Sequence, residues 1–285
     1  MHTTFNTRFG RNARSFTAQA GLALDEAQLR RLTPSVFAET AHVSRSERYA
    51  YIPTWEVLQG LQREGFGVFE AKQGRSRTEG KEAYTKHMLR LRHSAAISRA
   101  REVGDVINEI ILINSHDGTS SYIMFAGCFR LVCLNGLMVA DEVVGQVRVK
   151  HSGDVRAEVI QGAFQIMDSF ARVDESRDAY RALQLTSGEQ EVFATAAIAL
   201  RYPDKYEAPV RADQVNAPRR LEDRGDDLWA TFNRAQENLV RGGLRTADRR
   251  RRTHTREVNG IDGSVALNRG LWVLAEGMRK LKGAN

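Results

Sequence analysis

Cysteine is nearly missing from this 285-residue chain, which has two, Cys128 and Cys133. Two cysteines cannot build a disulfide framework, and their scarcity fits a reducing compartment. No apolar run approaches the length that spans a bilayer. The N-terminal MHTTFNTRFGRNARSF holds no apolar segment of signal-peptide length, so a cytoplasmic protein without a membrane partner is expected. G-x-x-x-x-G-K-[ST], G-x-S-x-G and a G-x-G-x-x-G following a strand are all absent. Nothing therefore specifies a nucleotide cofactor, and no cofactor is expected. The ligand spacings HxxxH, HxH, D-x-D and CxxC are absent too, so no metal geometry is fixed.

What remains is an ordinary globular composition, 42% hydrophobic and 27% charged with five prolines. The formal charge is +7, which permits a polyanionic partner. Residues 1–34 read as an N-terminal arm with a short helix at LDEAQLRRL before Pro34. Pro53 opens the helix TWEVLQGLQREG, closed by Gly65. FGVFEAK, YTKHMLRLRH, VINEIILIN, SSYIMFAGCFRLVCL and VGQVRVKH are β-branched or alternating and read as strands. Asp117-Gly118 between the third and fourth marks a hairpin turn. GKEAY is a turn or a short helix.

After His151 the apolar period becomes helical in VRAEVIQGAFQIMDSF, EQEVFATAAIALRY, DDLWATFNRAQENLV and SVALNRGLWVLAEGMRKL. Pro203 to Gly225 reads as a linker or exposed loop. The fold class is α+β: an antiparallel sheet of hairpins flanked by helices, with a mainly helical C-terminal part. The expected domains are the arm, an α+β sheet domain at 35–152, and a helical region at 153–285 packed on or beside it.

The stretch NSHDGTSSYIMFAGCFRLVCLNGLMV, Asn114 to Val139, concentrates chemical residue types. Strand parity sends its two cysteines to opposite faces, so they read as small buried hydrophobes rather than a metal pair. His116 and Asp117 fall in the turn, where Asp before Gly is a structural requirement. A metal-dependent nuclease recruiting His116, Asp117 and Glu109, with His87, His93 or His151, is the enzymatic alternative.

Arg130 has cationic company. Lys86, Arg90 and Arg92 share one parity of their strand, and Arg148 and Lys150 share one parity of theirs. Aligned on one sheet, they would form a basic patch beside Tyr122 and Met124, extended by Arg75, Arg77 and Lys81. Such a face can bind single-stranded nucleic acid, with phosphates on Lys/Arg and a base stacked on Tyr122. The competing reading is a solvated sheet face. Arg249, Arg250, Arg251 and Arg252 form a second strip that wants an anionic neighbour, either nucleic acid or a subunit carboxylate, with a purely solvated loop as the competing reading. Asn233, Gln236 and Glu237 read as polar residues that stabilise helix packing.

NSHDGTSSYIMFAGCFRLVCLNGLMV followed by VRVKHSG resembles the core of the phage/plasmid-like family called domain of unknown function 932. LWATFNRAQENLVRGGL and LNRGLWVLAEGM resemble its C-terminal motifs, and the resemblance spans Pro34 to Met278. It implies a mobile-element setting (plasmid, prophage or integrated element) and carries no catalytic residue. The order helix, basic hairpins, further helix is also similar to single-strand annealing proteins of the Rad52 and phage recombinase type, which implies oligomers holding single-stranded DNA without cofactors. The expected function is binding and annealing of single-stranded DNA, with RNA as the variant, by a homo-oligomer. A protein that counters a host defence factor is the interaction alternative.

Overall fold

The computed structural model describes residues 13–17, 22–46, 49, 51–76, 78–99, 106–130, 135–139, 146–148, 155–203, 207–246 and 253–283. The alternating stretches form one antiparallel sheet in the order β1 (Ala13–Thr17), β2 (Phe66–Gly74), β3 (His87–His93), β4 (Val106–Asn114), β5 (Ile123–Arg130) and β6 (Asn135–Met138). A short β7 (Gln146–Arg148) pairs with the first half of β5, while β6 pairs with its second half. GKEAY resolves into a one-turn 3-10 helix, Glu82–Tyr84. Gly118 does take the positive φ that its sequence context demands, at 77°. The connection is nevertheless a wide loop from Ser115 to Tyr122, in which the Thr119 backbone N–H and hydroxyl donate to the Asp117 carboxylate at 3.0 and 2.6 Å.

One face of the sheet carries Val68, Leu89, Leu91, Ile110, Leu112, Met124 and Cys128, all buried in the main core. Two helices cover it, α2 (Thr54–Arg63) and α4 (Val155–Asp168), after α1 (Glu26–Leu32) and α3 (Ser94–Arg99) earlier in the chain. Val57, Leu58 and Leu61 of α2 are at most 1% exposed, and each contributes about 1.5–3 kcal/mol by leaving water. Gly162 lets α4 lie flat on the strands. A Cβ there would stand 2.6 Å from Val147 and 3.0 Å from Met124.

The opposite face has its own smaller apolar cluster of Met88, Ile111, Ile113, Phe125 and Met138. It is closed by Ile261 and Val265 of the long C-terminal helix α9 (Ile261–Leu281). The remaining helices α5 (Phe170–Ala182), α6 (Ser187–Arg201), α7 (Ala212–Asn216) and α8 (Leu228–Arg241) pack on one another and on α9. The main core extends without a break from Leu24 to Met278, through Tyr180, Phe193, Phe232 and Trp272. This is the α+β architecture expected from the sequence.

Two segments are more structured than their composition suggested. Within the expected arm, β1 extends the sheet beside β2, and Leu24 and Leu29 are buried. The expected linker holds α7 and a 3-10 turn at Leu221–Asp223, with Val210, Val215 and Asp223 buried. Asn238 of α8 explains the second case, because its amide donates to the carbonyls of Val215 and Ala217 at 2.8 and 2.9 Å. One buried asparagine thus satisfies a backbone that a solvated linker would leave to water.

Candidate functional site

Register across strands decides which side chains share a face, and here it divides the expected basic patch. Arg90 lies opposite Ile111, which lies opposite Phe125. The cationic parity of β3 therefore joins the apolar parity of β5. Arg130 and Tyr122 have the opposite parity and point to the other side of the sheet, where Tyr122 joins the main core.

Neither side offers these groups to a polyanion. Arg90 and Arg92 are 2% and 0% exposed and converge on Glu109, itself 0% exposed. Arg90 Nη1 bonds Glu109 Oε1, and Arg90 Nε stands 3.4 Å from Glu70. Arg92 Nε donates to Glu109 Oε2 at 3.1 Å. The Arg92 guanidinium lies 3.7 Å from the Phe129 ring centre and 4.6 Å from that of Phe69, held between two aromatic faces. Two buried cations thus meet two carboxylates. Arg130 pairs at 2.7 Å with Asp223, contributed by the turn before α8, and burial raises the pKa of that carboxyl. Tyr122 is fully buried, which pushes its hydroxyl pKa well up, and it presents no surface for a base to stack on. The polyanion cradle read from strand parity is replaced by internal ion pairs.

Lys86 and Arg148 remain toward solvent on the α9 side. Lys86 Nζ bonds both carboxylate oxygens of Asp262 on α9, at 2.7 and 2.9 Å. Lys150, Arg77, Cys133 and Arg249 to Arg252 lie outside the described residues.

The residues considered for hydrolytic chemistry are split between the two sides of the sheet, with His87 and His116 together and Glu109 apart. Glu109 is held by its two arginines on the α9 face, whereas His116 lies past the end of β4 on the α2 side. There Gln73, His87 and Asn114 stand side by side across three strands beneath Thr54, the first residue of α2. The Thr54 hydroxyl lies 3.0 Å from His87 Nε2 and 3.3 Å from His116 Nε2, and it accepts from Asn114 at 2.9 Å. His87 Nδ1 meets the Ser35 hydroxyl at 2.9 Å. Burial lowers both rings, His87 to about 3 with help from the neighbouring His116, and His116 to about 4. They are neutral hydrogen-bonding pegs that fasten α2 and the Pro34–Phe37 turn to the sheet end. His93 caps the Glu64 carbonyl at 3.0 Å. Burial likewise pushes the Cys128 thiol up to about 12. Among the described residues, no group of three His, Cys, Asp or Glu side chains is placed to hold a metal ion.

The polar residues of α8 do serve packing. Gln236 bonds Asn268 at 3.0 Å, Asn233 bonds the Trp229 carbonyl, and Glu237 takes Arg220 at 2.8 Å and Arg241 at 3.4 Å.

A feature absent from the sequence reading begins where α8 ends. Residues 243–246 and 253–255 run antiparallel, with Gly243 N donating to Thr255 O, Thr255 N to Leu244 O, and Thr246 N to Thr253 O, all at 2.8–2.9 Å. Gly242, at φ 65°, permits the close crossing, since a Cβ there would be 2.7 Å from the backbone of Thr255 and Arg256. The sequence between the paired ends, Ala247 to Arg252, contains the arginine run.

The surroundings of this ladder are basic. Arg201 donates to the Arg256 carbonyl, Arg219 bonds Asn238 and the Gly242 carbonyl, and Gln214 of α7 donates to the Arg245 carbonyl. On the flanking segments Arg220 and Arg241 are paired with Glu237, and Arg211, just before α7, is paired with Asp213. Tyr202, half-buried, lies beneath the Arg201 guanidinium at 5.1 Å. Its signal in the sequence was slight: an Arg-Tyr pair at the end of a helix, before a proline.

The family described as "Domain of unknown function (DUF932)" matches residues 41–272. The UPF0380 protein YafZ of Escherichia coli (strain K12) is 50% identical over 256 residues, covering 90% of this chain and 91% of that protein. The UPF0380 protein YfjQ of the same strain is 51% identical over 254 residues, covering 89% and 90%. This chain belongs to the DUF932 family. The DUF932 match takes in the sheet from β2 onward, both internal ion-pair systems, and the ladder after α8. No solved structure matches the chain. Among the described residues, no helix of this DUF932 protein is long and apolar enough to cross a membrane.

Proposed function

We propose that this DUF932 protein binds nucleic acid through the basic ladder after α8, with single-stranded DNA as the favoured ligand. The observation that carries the proposal is the gathering of Arg201, Arg219, Arg245 and Arg256 on the two paired segments and the backbone beside them, which lead in sequence into Arg249 to Arg252. Tyr202 supplies an aromatic face among these guanidiniums, the combination on which unpaired bases stack while phosphates pair with cations. Most of the sheet cations leave the proposed interface. They are neutralised internally, so the charge surplus of the chain falls more heavily elsewhere. Annealing by an oligomer, in the service of a mobile element, is the task this binding would perform.

The test is anisotropy of a labelled oligonucleotide against salt concentration. Phosphate contacts predict a log–log slope of about −0.7 for each phosphate neutralised on a single strand. A flat titration would overturn the reading. Particle images with and without oligonucleotide check the assembly, for which rings or filaments are expected.

A further inference from the structure

A cleft of about 370 Å³ opens on the α9 face, where the edge of the sheet passes under the first turns of that helix. Its volume sits near the lower end of ligand pockets, the size of a compact ring bearing one charged group. Ile113, Ile123 and Phe125 of β4 and β5 make an apolar floor, and Val265 and Ala266 of α9 make the facing wall. The register explains the floor. Ile113 lies opposite Ile123, and Phe125 lies opposite Gln146, so odd-numbered side chains of β4 and β5 surface together with the even-numbered ones of β7. Two arginines line this apolar space from different elements. Arg148 comes from β7, and the guanidinium of Arg269, one helical turn beyond Val265, lies 5.4 Å from the Phe125 ring centre. Gln146 and Ser120 add an amide and a hydroxyl. The lining contains one carboxylate, Asp262, and Lys86 holds both of its oxygens.

A flat apolar floor, a guanidinium already placed over an aromatic ring, and a second cation at the mouth suit a planar ring joined to a phosphate. A guanidinium stacks on such a ring, and it also pairs with phosphate oxygens in a fork. Amide and hydroxyl groups read ring edges. We infer that this cleft binds a nucleoside phosphate, either a free mononucleotide or one unstacked nucleotide of a strand, with Arg148 on the phosphate and Arg269 against the base. The inference deepens the nucleic-acid reading but is carried by different residues. The two sites are close along α9: Gly270, next to Arg269, lies against Leu200, the neighbour of Arg201.

Isothermal titration of the full chain with AMP tests the cleft directly. Saturable one-site binding in the micromolar to millimolar range is expected, with adenosine and inorganic phosphate each weaker than AMP. Arg148→Gln should weaken AMP roughly tenfold or more by removing a charge-assisted pair. Ala266→Trp should abolish binding by filling the cleft. Both positions are exposed, so thermal melts should stay near wild type. Absence of AMP binding, or binding unchanged by both substitutions, overturns the inference.

An oligo-dT titration run beside it separates the two readings. Replacing Arg249 to Arg252 with glutamine should weaken the oligonucleotide and leave AMP untouched. AMP binding without oligonucleotide binding would remove the proposed function and keep the cleft as a free-nucleotide site. Oligonucleotide binding without AMP binding would do the reverse.

Discussion

Arg92 and Arg245 both sit on antiparallel ladders, yet they occupy opposite electrostatic settings. Arg92 is fully buried, bonded to Glu109 and pressed between two rings. Arg245 is exposed and paired through its backbone with His254, on a ladder whose ends are contacted by Arg219, at Gly242, and by Arg201, at Arg256. The lesson is that counting cations on strands does not locate a polyanion site. A charge removed from water must find its counter-charge within the fold, because uncompensated burial costs far more than any surface attraction returns. A charge left at the surface beside like charges is the one available to a partner.

Breaking the buried side should produce the largest effect. Glu109→Gln leaves Arg90 and Arg92 with Glu70 as the one carboxylate paired to them among the described residues, and stability should fall by about 3–5 kcal/mol in urea unfolding. Replacing all three members with apolar residues of similar size should recover much of that loss. A Glu109→Gln protein as stable as wild type would contradict the role assigned to the network.

Acid should have the next largest effect. The unfolded chain protonates His87 and His116 near the ordinary 6.5, while the folded protein resists until about 3 and about 4. The unfolded state therefore binds more protons in that window. Stability is full above about pH 6.5 and declines as pH falls, by about 2–4 kcal/mol for the pair near pH 5. The slope of urea midpoint against pH should flatten in His87→Gln. An unchanged slope would show that these rings are not held neutral.

The smallest effect belongs to a sheet cation that stayed near solvent. Lys86→Ala removes a pair whose Asp262 side is 82% exposed, so less than about 1 kcal/mol should be lost.

Element types were legible because local sequence determines them. VINEIILIN is β-branched throughout and becomes β4, and the D-x-x-Q of Asp25 and Gln28 becomes the capping box of α1. Alternation also assigned the described residues of β3 and β5 to their two faces. It could not say which face of β5 met which face of β3, since that depends on register and on the irregularity between Val68 and Glu70. Glu109, a lone acid inside an apolar strand, was the available hint that a cation would be drawn inward. Asp223 and Asp262 gave no such hint, because their partners Arg130 and Lys86 are remote in sequence. The run Arg249 to Arg252 was plain to see. The ladder that gathers other arginines around its ends was not, for it depends on Gly242 letting Thr255 cross the end of α8.

The decisive measurement is the salt dependence of oligo-dT affinity in wild type and in the variant carrying Arg249→Gln, Arg250→Gln, Arg251→Gln and Arg252→Gln. Removal of four phosphate contacts should flatten the log–log slope by about 3 while the melting temperature holds. Parallel slopes in the two proteins would contradict the assignment of nucleic-acid binding to this ladder.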